Sequence, residues 1–99
     1  MARSDKATIV AALSTAIGAS EEPEGRSDLV SDKGYINVAA DPAEIGRAIE
    51  RLKPLPGYRW IVINPGDLFA ASPKTIGTKV GIMDVTGRVL KAADLPRPK

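Results

Sequence analysis

The chain has 99 residues, 43% of them apolar and 26% charged, which is the size and make-up of one globular domain. It has no histidine and no cysteine, so disulfides, the usual zinc sets, iron–sulfur clusters, thiol chemistry and every histidine-based proton relay are excluded. A chain this short buries only about 60–70% of its unfolded surface. That supports one modest core and a shallow surface site rather than an enclosed reaction chamber.

Ser4 reads as the cap of a first helix over Asp5 to Ile17, with Ile9, Val10, Leu13, Ala16 and Ile17 at three- and four-residue steps and Gly18 as its stop. The apolar run Ala7 to Ile17, broken by Ser14 and Thr15, is shorter than the roughly 20 residues a membrane span needs. Arg3 and Lys6 ahead of it give it some look of a leader, but Asp5 and its Ala-rich, weakly apolar character argue against that reading. Residues 19–33 are rich in Ser, Glu, Asp, Pro and Gly, and are expected to form a loop or linker.

Tyr35 to Ala39 alternates with the period of a half-buried strand. Asp41-Pro42-Ala43-Glu44 then combines a capping Asp, a Pro at the first helical position and a Glu placed to reach back to the cap. A second helix therefore starts at Pro42, shows the apolar stripe Ile45, Ala48, Ile49 and Leu52, and ends at Pro54 and Pro56. Gly46 costs such a helix about 1 kcal/mol relative to Ala. Either something packs tightly against it, or the helix begins less regularly than the pattern suggests.

Tyr58 to Ile63 is the most strand-prone stretch, and Trp60-Ile61-Val62-Ile63 reads as a central strand covered on both faces. Asn64-Pro65-Gly66-Asp67 has the form of a type II turn. Leu68 to Ala71 is then either one helical turn or extended, and Ser72-Pro73-Lys74 returns to loop. Lys79 to Val85 and Arg88 to Leu90 form a hairpin turning at Thr86-Gly87, and residues 94–99 read as an exposed tail. The expected fold is a single α+β domain over residues 1–99: a small, mainly antiparallel sheet of about four strands with two helices on one side, in the order α-β-α-β-β-β. Parallel pairing of the Tyr35 and Trp60 strands, with the second helix as their crossover, is the other arrangement the sequence allows.

No motif carries chemistry. A calcium loop aligned on Gly34 puts Lys33 at a ligand position and Ala40 where the bidentate Glu belongs. Lys74 to Gly81 has glycines, hydroxyls and lysines but not the phosphate-loop spacing. Asp28, Asp32, Asp67 and Asp84 are the candidates for carboxylate acid–base work, and none sits in a motif. Neither a cofactor nor a metal is implied.

Charge is uneven along the chain. Residues 1–50 hold five Lys/Arg against nine Asp/Glu, and residues 51–99 hold nine against three. The basic half offers Arg59, Lys74, Lys79, Arg88, Lys91 and Arg97 as candidate macromolecule contacts, with Lys99 beyond them and Tyr58 and Trp60 for stacking. These cations are scattered singly, and no helix-turn-helix, RNP or zinc-finger pattern accompanies them. The expectation is a cytoplasmic, non-enzymatic binding or assembly protein acting on another protein or on a second copy of itself; the alternative is a nucleic-acid binder using the basic half. The Ala-, Gly- and Pro-rich composition resembles that of chains from GC-rich bacteria or their phages.

Overall fold

The computed structural model describes residues 4–95. Lys6–Ile17 forms α1, whose cap is Asp5 rather than Ser4: the Asp5 carboxylate accepts from Thr8 N at 2.8 Å, and this bond holds its carboxyl below the ordinary aspartate value. The next segment is not a loop. Ser20–Glu21 (β1) and Leu29–Ser31 (β2) pair antiparallel. Glu22 explains why so polar a stretch orders. Its buried carboxylate accepts from the amides of Glu24 and Arg26 and from Arg26 Nε, gathering the turn onto one side chain. Burial pushes this carboxyl up, but the bonds and charge of Arg26 and the Glu24 amide outweigh it and hold it below the usual glutamate value.

Gly34–Ala39 is β3, and a 3-10 turn over Pro42–Glu44 leads into α2, Ile45–Leu52. Asp41 caps this turn through Ala43 N at 2.9 Å. The tightened start resolves the choice posed by Gly46: a methyl group there would meet nothing within 4 Å, so the helix begins irregularly and nothing packs against the glycine. Arg59–Ile63 is β4, and all five residues are buried, as a strand covered on both faces requires.

Beyond β4 the chain departs from expectation. Gly66 does not take the positive φ of a type II turn, and Pro65–Asp67 forms a second 3-10 turn. It continues into α3, Leu68–Thr75, with Pro73 inside the helix. The interior bond that Pro73 cannot make would go to Phe69, and both residues are exposed, so water can serve that carbonyl. Gly81–Met83 (β5) and Val89–Lys91 (β6) form the expected hairpin, closed by Asp84, whose Oδ1 accepts from the amides of Thr86 and Arg88.

The described residues thus form one six-stranded sheet in the order β1-β2-β3-β4-β5-β6 with three helices, not four strands with two helices. The shortfall came from reading residues 19–33 as a loop, Leu68 to Ala71 as at most one helical turn, and Ser72-Pro73-Lys74 as loop. The outer pairs are antiparallel, but β3, β4 and β5 are mutually parallel, joined through α2 and α3. Nor do the helices share one side. Ile45, Ile49, Leu52 and Ala71 from α2 and α3 pack on Ile61, Ile63 and Ile82, whereas Ile9 and Leu13 of α1 cover Ile36, Val38, Trp60, Val62 and Met83. Strand alternation divides β4 between the two cores, Ile61 and Ile63 facing one and Trp60 and Val62 the other. Gly81 is where β5 admits the Trp60 ring, since a Cβ there would stand 2.5 Å from it. Asn64, after β4, ties in the start of the chain: its side chain accepts from Ser4 N and donates to the carbonyls of Ser4 and Ala40.

Candidate functional site

The basic residues singled out from sequence do not form one surface. Arg59 opens β4 and is only 3% exposed. Its guanidinium donates to Lys53 O at the end of α2 (3.2 Å) and to Thr78 O ahead of β5 (3.1 Å), while the buried Nε has no hydrogen-bond partner among the described residues. Desolvation lowers its pKa from the ordinary arginine value. It is therefore a strut that satisfies a helix C-terminus. Strand alternation gave no sign of this, because five successive residues of β4 are buried. Lys91 donates to Thr75 Oγ1 at 2.7 Å, and Lys79 lies 3.8 Å from Asp94. Arg88 sits in the β5–β6 hairpin, across the length of β5 from Lys79, and Lys74 is exposed on α3. Arg97 and the tail from Pro96 lie outside the described residues, whereas Asp94 is tied back through its amide to Lys79 O.

Several of the other sequence candidates serve the backbone. Thr75 and Thr78 donate to the carbonyls of Ser72 and Thr75, so the hydroxyls of residues 74–81 brace the chain. Asp84 organises its hairpin, with burial raising its carboxyl and the stronger combined effect of Thr86 and Arg88 lowering it. Asp67 is buried at the start of α3, and Asp32 is exposed in the β2–β3 turn. Among the described residues no three Asp, Glu, His or Cys side chains are placed to hold a metal ion.

Two features remain that the sequence reading did not single out. The first lies on α3, where Phe69 is 92% exposed and Ile76, just past the helix, is 73% exposed. With the exposed Pro73 between them, their four- and three-residue spacing makes one outward stripe, opposite the buried Ala71 and Thr75. Lys74 is exposed on the same helix, and Lys53 is exposed at the end of α2. Reading Ser72-Pro73-Lys74 as loop hid this spacing.

The second is a cleft of about 280 Å³ where β2 leaves β3. The β2–β3 ladder stops at Leu29–Ile36, and Asp28 continues it with side-chain bonds. Its Oδ2 accepts from Val38 N at 2.9 Å, and its amide donates to Asn37 Oδ1 at 2.7 Å. The fully buried Asn37 then reaches Ala48 O on α2 at 3.0 Å. Lys6 from the first turn of α1 and Arg51 from α2 approach Asp28 Oδ1 at 3.1 and 3.4 Å, and Arg47 and Glu44 complete the walls. Arg47 and Arg51 stand four apart on one helix and their pairing was legible; the meeting of Lys6, Asp28 and α2 is a product of the fold. Among the described residues no helix is long and apolar enough to cross a membrane. Searches against family models, curated proteins and solved structures each return no match, so what this chain does has to be argued from its own surface.

Proposed function

We propose that this chain is a non-enzymatic, cytoplasmic binding protein of bacterial or phage type that docks a second, acidic protein on the outer face of α3. The observation that carries the reading is the solvent-facing stripe of Phe69 and Ile76. A phenyl ring left in water forgoes about 2 kcal/mol of burial, and aromatic residues are the usual anchors of protein contacts. The positive charge of Lys74 on α3 and Lys53 at the end of α2 selects a partner whose apolar side chains are flanked by carboxylates. It also disfavours pairing of the stripe with a second copy of itself. The alternative, phosphate-backbone binding by the basic half, draws less support, because Arg59 is buried and Lys79 and Lys91 are engaged within the fold.

The test compares the chain with its Phe69→Ser/Ile76→Ser variant, both tagged, in co-purification, followed by reconstitution with the purified partner. A one-to-one complex with an acidic protein, lost in the variant while its melting temperature holds, supports the reading. Equal capture by both proteins overturns it. So does retention of nucleic acid that weakens steeply with salt in both.

A further inference from the structure

We propose that the cleft between α1, α2 and the open edge of β3 binds the phosphate group of a small phosphorylated molecule. Three cations converge there from helices on opposite faces of the sheet, Lys6 from α1 and Arg47 and Arg51 from α2. Their charge is only partly answered inside the fold. Asp28 is held by Lys6, Arg51 and the Val38 amide, and among the described residues the Arg47 guanidinium has neither an ion pair nor a hydrogen-bond partner. An arginine free to lay its planar fork against an oxyanion, with a second arginine one turn along, suits phosphate better than a lone carboxylate.

Lys6 lies in the first turn of α1, and α2 with the 3-10 turn before it lines the cleft along its length, from Ala43 and Glu44 to Arg51. The Glu44 carboxylate makes no capping bond to α2. It remains available at the rim to accept from hydroxyl groups. The volume of about 280 Å³ is about nine times the share of one water in the liquid, more than a bare phosphate fills. The ligand class is therefore a phosphomonoester with a short polyol body.

This site is independent of partner docking on α3. Its test is titration of the ¹⁵N-labelled protein with inorganic phosphate, ribose 5-phosphate, ribose and, at matched ionic strength, sodium chloride. Saturable amide shifts at Val38 and Ala48 are expected with both phosphates, tighter for ribose 5-phosphate and absent for ribose. Arg47→Ala should weaken binding about tenfold, the loss of one charge-assisted contact, without moving the melting temperature. Equal shifts with chloride, equal binding of ribose, no saturable shift with either phosphate, or unchanged affinity in Arg47→Ala would each overturn the assignment.

Discussion

Replacing Gly46 with Ala should stabilise the protein. Gly46 is the second residue of α2, its φ is not positive, and an added methyl would touch nothing within 4 Å, so no steric penalty opposes the change. The gain comes from the unfolded chain, where alanine has fewer conformations to lose than glycine. In a helix interior the difference is about 1 kcal/mol, and next to the 3-10 entry the lower part of the range, about 0.5–1 kcal/mol, applies. For a domain of this size that raises the melting temperature by about 2–8 °C. Thermal melts followed by circular dichroism, with urea titrations at unchanged m-value, measure it. A melting temperature that stays or falls at constant m-value would refute the claim that the entry to α2 is irregular but uncrowded.

Other perturbations probe the polar interior. Arg59→Ala removes two bonds from a charged donor to the carbonyls of Lys53 and Thr78 and should cost about 2–3 kcal/mol, read by urea unfolding; no loss would mean that those carbonyls are served otherwise. Asn37→Ala strands the Asp28 amide and Ala48 carbonyl and should cost about 2–3 kcal/mol, with faster hydrogen exchange at Asp28. Glu22 has a depressed carboxyl pKa in the folded state, so its contribution is present above the unfolded value of about 4.3 and is lost as pH falls through the lower folded value. Stability should drop across that acid range in the wild type and fall less steeply in Glu22→Gln, as urea midpoints against pH would show.

Periodicity and caps were enough for the elements whose patterns are local. Gly18 takes φ of 66° as a helix stop, Asp41 caps the entry to α2, and Trp60 to Ile63 of β4 are buried, each as its sequence implied. The β1–β2 hairpin was not legible, because its order rests on one buried carboxylate collecting a turn, which composition reads as a solvated acidic run. Nor was α3, because a proline on the solvent side of a helix forgoes little that water does not replace. Those two misreadings account for the missing strands and the missing helix. The placement of α1 opposite α2 and α3 depends on how the strands divide their side chains between faces, which no single segment encodes. The candidate surfaces followed the same rule. Scattered basic residues in the second half gave a buried strut and internal contacts, while the cleft joins Lys6, Asp28 and α2 across more than twenty positions of sequence.

Among the described residues α1 is the only helix on its face of the sheet, where Val85 and Ala93 also pack. α1 buries Ile9 and Leu13 in the core on its side, and the only tryptophan belongs to the same core, its indole donating to Lys33 O at 2.7 Å. Partial opening in which α1 lifts away, releasing Ser4 from Asn64, would wet that ring while leaving the parallel centre and its two crossovers intact. The intrinsic emission of this protein thus reports on the attachment of its first helix, and a red shift preceding the loss of helical ellipticity would mark that detachment as a distinct step in unfolding.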